Sequence, residues 1–245
     1  MYKIFRRPRS YIGFLAVLIF VIFTQLAVFM EGKETVQFLT QNLEEIFVLQ
    51  GNIVNGYLVT FLILYFLWVH VPLLIILVTG DLLSGEAQNG TFRMLLTRPV
   101  SRKRLVNAKF LAALIYSAAL VLFMGMISLP AGLMIFGKGD MMVFLGTLNI
   151  IPEAELAGRF TIAFGFAIIS MATVAALSLM MSSMSNNSLG PILTTIAIII
   201  LLNLVSSINL GIFNLIRPFL FISYINSWQL LFAFEPDKIL IIKQQ

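Results

Sequence analysis

Apolar and polar positions alternate in long blocks along this chain. Five runs of roughly twenty apolar residues cover residues 11–30, 57–79, 110–136, 160–181 and 192–210. At 1.5 Å rise per residue, about twenty residues cross the ~30 Å hydrocarbon layer of a bilayer. Each run therefore predicts a membrane-spanning helix, the form in which a segment pairs its own backbone N–H and C=O groups where water is absent. The expected fold is all-α: a polytopic helical membrane protein with five clear transmembrane helices, forming a single transmembrane domain over residues 1–245. A sixth apolar stretch, in the tail 211–245, is interrupted by Arg217, Pro218, Asn226 and Gln229. A charge costs roughly 2.5–3.5 kcal/mol at a helix centre, but Arg217 lies near one end and does not exclude a span. Tyr224 and Trp228 favour an interfacial or re-entrant tail, so the sixth helix is expected to be missing or re-entrant.

Composition agrees with a bilayer as the solvent. Of the 245 residues 60% are hydrophobic and 11% charged, against roughly 25% charged in soluble domains. The first run lacks a small-x-small cleavage site and reads as a retained anchor. The absence of Cys excludes disulfides, thiolate metal sites and Cys nucleophiles. The net charge of +5 does not point to nucleic acid, because the basic residues cluster beside the spans, where they orient the chain. Lys3, Arg6, Arg7 and Arg9 precede the first span, while Glu31, Glu34, Glu44 and Glu45 follow it against Lys33. Six of the sixteen Lys and Arg residues lie between the second and third spans. Both clusters place the N-terminus in the cytoplasm. The loop 80–105 is then cytoplasmic, and the acidic connector 137–158, with an apolar middle suited to the membrane surface, lies outside.

That loop carries more than an anchor needs. Asp81 could cap a short helix through Ala87, since a carboxylate accepts from the free N–H groups at a helix start. Asn89-Gly90 would end it in the left-handed conformation, and Thr91 can cap the next turn. Phe92, Leu95 and Leu96 follow at i, i+3, i+4 spacing and share a face. Pro99 stops that turn. Ser101 starts the third span, with Arg102, Lys103 and Arg104 at the membrane edge. Two readings fit: a basic anchor with a half-buried interfacial turn, or a docking helix whose apolar face fills a groove on a partner.

The order Asp81, Ser84-Gly85-Glu86, Gly90-Thr91, Leu95-Leu96, Pro99-Val100-Ser101-Arg102 resembles the permease subunits of type 2 ABC exporters. A basic residue follows at Lys109, where Ala108 replaces the Gly common in the family. The resemblance implies that Asp81, Glu86, Gly90, Thr91, Phe92, Leu95, Leu96, Pro99 and Arg102 form the coupling element facing a separate ABC ATPase subunit. It implies two such ATPases with two permeases, the second a copy or a different chain, in the plasma membrane and among its lipids. It also implies six spans, so a chain with five that ends at Lys243-Gln244-Gln245 is expected to be cut before its last helix.

No G-x-x-x-x-G-K-[ST] segment occurs, so ATP would be bound by the partner, with no cofactor and no catalytic or metal site expected here. H-E-x-x-H and G-x-S-x-G are likewise absent. The single histidine, His70, has no carboxylate nearby and reads as a packed imidazole beside Pro72 rather than a proton relay. Gln25, Thr173, Ser178 and Asn203 read as hydrogen-bonding glue between helices. Gly165, Ala167, Ser170, Ala172, Ala175 and Ala176 suggest a tightly packed fourth span. The competing functions are a non-transporting membrane scaffold and, disfavoured by the lack of intramembrane carboxylates, an ion-coupled transporter.

Overall fold

The computed structural model describes residues 8–44, 54–91, 101–145, 148–207 and 225–233. Helix α1 (Pro8–Glu44) opens on a proline, whose missing N–H costs nothing in a first turn. Helix α2 (Gly56–Thr79) is followed by the short α3 (Asp81–Gln88), then α4 (Arg102–Phe136). A two-stranded hairpin follows, β1 (Met141–Phe144) with β2 (Leu148–Ile151). Helices α5 (Glu153–Ser183) and α6 (Leu189–Ser207) and a short 3-10 helix (Asn226–Phe232) complete the described chain. Five helical stretches are long and apolar enough to cross a membrane, as the hydrophobic blocks predict, and the chain is a polytopic all-α membrane protein.

One end of the bundle carries the hairpin and the other the 80–109 loop. At the hairpin end α2 and α4 meet backbone to backbone. A Cβ built on Gly56 would lie 2.5 Å from the carbonyl carbon of Gly132, closer than side chains allow. The Thr60 hydroxyl donates to Gly56 O at 2.8 Å and reaches Ser128 O at 3.3 Å. Gln25 Nε2 of α1 donates to the same Ser128 carbonyl at 3.3 Å. Small residues thus admit the close approach, and hydroxyl and amide groups find carbonyls there because no water is at hand.

Helix α5 packs against α2, α4, α6 and the 3-10 helix, with Ala163, Ala167, Ser170 and Ala175 buried. It is the tightly packed span its small residues suggest, although Gly165 faces outward. Of the four polar residues read as glue, Gln25 and Ser178 bond across helices. Thr173 donates to Ser170 O and Asn203 to Ile199 O within their own helices.

Two expectations need correction. The connector does not merely rest on the membrane surface. Its apolar middle forms an antiparallel hairpin with Met141 opposite Ile151, and Met141, Val143 and Ile151 are buried. His70 is not packed inside. It is exposed, with Nδ1 at 2.9 Å from Phe66 O and its ring 5.9 Å from that of Phe20.

In the tail, the 3-10 helix is tucked between α2 and α5 rather than lying on a surface. Trp228 and Phe232 are fully buried. The Trp228 ring sits 5.3 Å from Trp68 and 5.5 Å from Phe61, and Phe232 is 4.9 Å from Phe160. Trp68 lies twelve residues into α2, ~18 Å along a helix rising 1.5 Å per residue, so Trp228 sits well away from the hairpin end. Arg159 of α5 holds it there. Its Nη1 donates to Leu231 O at 2.7 Å and Ala233 O at 2.9 Å, and Glu155 accepts from Nη2 at 2.7 Å. A cation at the carbonyl end of a helix is favourably placed against the helix dipole. Arg217, Pro218 and Tyr224 lie outside the described residues.

The Gly56–Gly132 contact gives a direct test. Gly56→Ala should lower the thermal unfolding temperature of the purified protein, by an amount corresponding to about 1–3 kcal/mol of overpacking. Gly158→Ala, at a helical position with open space around it, should hold or raise that temperature.

Candidate functional site

The loop end is built around a break between two helices. Helix α2 stops at Thr79, Gly80 donates its N–H to Ile76 O at 2.8 Å, and α3 begins at once with Asp81. Gly80 is required by space. A Cβ there would meet Ile76 O at 2.8 Å and the Ile192 side chain at 3.0 Å. A new helix start leaves its first N–H groups without partners in the helix, and Gly80 has no side chain to cap them.

The cap comes from another helix. Ser182 Oγ, near the end of α5, accepts from Leu83 N at 3.1 Å and from Ser84 N at 3.0 Å. The same hydroxyl donates to Ser84 Oγ at 3.2 Å, and Ser84 Oγ donates to Gly80 O at 2.7 Å. One donor and two acceptor sites are all that a hydroxyl has, and Ser182 uses each of them while almost fully buried. This corrects the expectation that Asp81 caps α3. The Asp81 carboxylate instead accepts from Ser188 Oγ, in the turn between α5 and α6. It lies over Gly85, where a Cβ would meet Asp81 Oδ1. Gln88 Oε1, at the far end of α3, accepts from the Ser188 N–H at 2.8 Å.

Glu86 is also internal. It is 2% exposed, and Lys109 Nζ of α4 lies 2.6 Å from its Oε1. The pair joins the two legs of the loop at its base. Beyond Glu86 the chain turns outward. Gln88, Asn89 and Gly90 are exposed, and Gly90 adopts φ +68°, the left-handed stop its sequence predicts. Thr91 is half-buried, its hydroxyl donating to Glu86 O at 3.2 Å. Ser101 caps α4 by accepting from Arg104 N at 3.3 Å, as expected. Arg102, Lys103 and Arg104 are exposed on its first turn. Phe92, Leu95, Leu96 and Pro99 lie outside the described residues.

The structure therefore buries both Asp81 and Glu86 on the short α3, Asp81 against the α5–α6 turn and Glu86 against α4, with Gly90 and Thr91 at its outer end and Arg102 on the second leg. Sequence reasoning missed Ser182, Ser188 and Gln88 as members. The available signal was the uncharged Ser- and Asn-rich turn 182–191, too polar for the bilayer and without the basic residues of an anchor.

Between α2, α5, α6 and Ile225 lies a cavity of about 460 Å³ that opens on the outside of the chain, where Val69, Ile200 and Asn203 are exposed. Trp68, Leu73, Ile76, Val174, Ile199 and Asn203 line it with other apolar residues, and no lining residue is charged. Its size and its single side-chain amide in an apolar wall fall within the range of small-molecule sites.

The family model for ABC-2 family transporter proteins matches residues 4–235, which include the spans, the loop, the hairpin and the 3-10 helix. Neither a curated protein nor a solved structure matches the chain.

Breaking the ion pair from one side should be costly, because it strands a buried charge. Lys109→Ala is expected to destabilise the protein by up to about 3 kcal/mol, the low end for a buried pair since Lys109 keeps some solvent contact. Combining Lys109→Met with Glu86→Gln should recover most of the loss in thermal unfolding. A loss in the double variant equal to the sum of the two single ones would show that the pair is not coupled.

Proposed function

The chain belongs to the ABC-2 transporter family and is a multi-pass membrane permease of an ABC transporter; we propose that it couples ATP hydrolysis on a separate ATPase subunit to export of cargo. The observation that carries this reading is the mounting of α3. A connector that only returned the chain to the membrane would need no buried acid, no borrowed cap and no ion pair. This one is fixed on three sides, to α4 by Glu86–Lys109, to α5 by Ser182 and to the α5–α6 turn by Ser188. Its end, Gln88–Gly90, stays exposed. An element so held can receive a push without folding under it. The segment that follows, whose sequence spaces Phe92, Leu95 and Leu96 at i, i+3 and i+4, would supply the apolar contact for the ATPase.

Two charge clusters put this end in the cytoplasm, where ATP is. Driving the bundle from one packing to another, from 1:99 to 99:1, takes roughly 5.5 kcal/mol of differential binding. ATP-dependent closure of two ATPases on two permeases, alike or different, would supply it through these loops. The charge-free cavity beside Trp68 and Asn203 supports a hydrophobic or amphiphilic cargo rather than an ion.

Two experiments test the reading. Co-expression with a cognate P-loop ATPase should yield a complex that copurifies, and Leu95→Asp should abolish capture while leaving the permease folded. If the wild-type chain retains no ATPase, a non-transporting scaffold becomes the better account. The sidedness can be read in the Cys-free background. A membrane-impermeant maleimide should label Lys138→Cys in intact cells and Asn186→Cys only after permeabilisation. The reverse pattern would put the loop outside and end the proposal.

A further inference from the structure

The fastening of α3 has a consequence for how a push is distributed. Helix α3 is nearly continuous with α2, so a displacement at Gln88–Thr91 enters α2 directly. Three groups from the end of α5 and the turn after it are also bonded to α3: the Ser182 hydroxyl, the Ser188 hydroxyl and the Ser188 N–H. These contacts span both ends of the short helix, Asp81 and Ser84 at its start and Gln88 at its finish. Between them, the Leu82 and Leu83 side chains are buried, so the polar contacts are backed by apolar packing. The α5–α6 turn is otherwise uncharged, and Ser185 and Asn187 hydrogen-bond one another within it, Asn187 N donating to Ser185 Oγ at 3.2 Å and Ser185 Oγ to Asn187 O at 3.0 Å. It is a closed turn attached to α3 and to the two helices it joins.

We propose that Ser182 and Ser188 are positioning residues that make α3 and the loop ends of α5 and α6 one rigid body, so that movement of the coupling loop is delivered to α5 and α6 at the same time as to α2. This rests on the exporter reading above. The Ser182 hydroxyl is the central member, since it alone satisfies two backbone N–H groups of α3. The helices that this body would move also form one wall of the apolar cavity, because Val174 of α5 and Ile196, Ile199 and Ile200 of α6 line it together with Trp68 and Ile76 of α2. Moving α2 alone would shear that cavity. Moving α2 with the ends of α5 and α6 reshapes it from both sides.

The complex of the chain with its copurifying ATPase provides the test, with ATP hydrolysis in lipid nanodiscs as the readout. Ser182→Ala should capture the ATPase at the wild-type level but lower permease-stimulated hydrolysis at least fivefold, and Ser182→Thr, which keeps the hydroxyl, should restore it. Hydrolysis by Ser182→Ala within twofold of wild type would overturn the proposal. The second arm uses a Ser84→Cys, Ser182→Cys pair, replacing hydroxyls 3.2 Å apart in a chain without native Cys. The disulfide should form to the same extent without nucleotide and with ATP and vanadate, and, because the reduced pair lacks the Ser182 hydroxyl, hydrolysis should hold or rise on oxidation as the covalent link replaces the lost hydrogen bonds. A tenfold loss on oxidation that reverses on reduction would show that α3 and α5 separate during the cycle, and the rigid body would be refuted. A wild-type chain that captures no ATPase is a different failure, that of the exporter reading itself.

Discussion

A helix that starts inside a protein at the edge of a membrane must find partners for its first N–H groups, and the loop end of this bundle is arranged around that requirement. The break at Gly80 creates the free donors. Water is not admitted, since Ser84, Ser182 and the residues around them are buried. The donors are met by a hydroxyl from α5, which fixes where α5 must end and therefore where the turn to α6 must lie. The turn in turn places Ser188 against Asp81 and Gln88. Glu86, one turn on from Leu82 and Leu83, is left facing α4, and Lys109 neutralises it. Each contact follows from the preceding one, and they trace back to unpaired backbone groups at the buried start of α3.

The same constraint operates at the opposite end, with different residues. Asn55 caps α2 by accepting from Leu58 N at 2.9 Å and donates to Asp140 O at 2.6 Å. The Asp140 carboxylate accepts from Glu153 N at 2.8 Å, where Pro152 offers α5 no side-chain cap. Arg159 satisfies the last carbonyls of the 3-10 helix. Helix starts and stops are thus repeatedly completed by residues from other elements. The two ends differ in how their helices touch. The hairpin end has a backbone-to-backbone seam at Gly56 and Gly132, which resists sliding. The loop end is joined through side-chain hydrogen bonds and the Glu86–Lys109 ion pair.

Much of this was legible in the sequence, and the remainder was hidden for a common reason. Spans follow from runs of apolar residues and all five were readable, although the helical stretches extend up to nine residues past the apolar runs. Gly90 and Ser101 announce local stops and starts, because their partners lie within a few residues. Ser182 could not be found that way. Its bond to Ser84 crosses 98 positions, and nothing in the string distinguishes it from Ser183, which is exposed and donates to its own helix at Met180 O. Asp81 looked like the cap because a carboxylate at a helix start usually is one. A better-placed hydroxyl from α5 took the position. The hairpin was invisible for a related reason: MMVF and LNII lack clean alternation, and only their mutual pairing makes them strands. The 3-10 helix of the tail was half visible, since Trp228 suggested an interface, but its burial depends on the pocket made by Phe61, Trp68 and Phe160.

Whether the loop-end contacts can carry a conformational drive is a question of magnitudes. A link between two moving parts transmits work only if parting it costs as much as the work delivered; otherwise the link opens and the bundle stays where it was. Five hydrogen bonds join α3 to Ser182 and Ser188. At about 1 kcal/mol net for a neutral bond, and more where a carboxylate accepts, they come to the same order as the ~5.5 kcal/mol needed to reverse a two-state population. Any one of them alone falls well short. Helix propensity does not help, because an eight-residue helix is too short to hold itself together. The short helix therefore depends on the contacts that fasten it, and the same contacts join it to the rest of the bundle: loss of the Ser182 cap would loosen α3 and disconnect it from α5 in a single event.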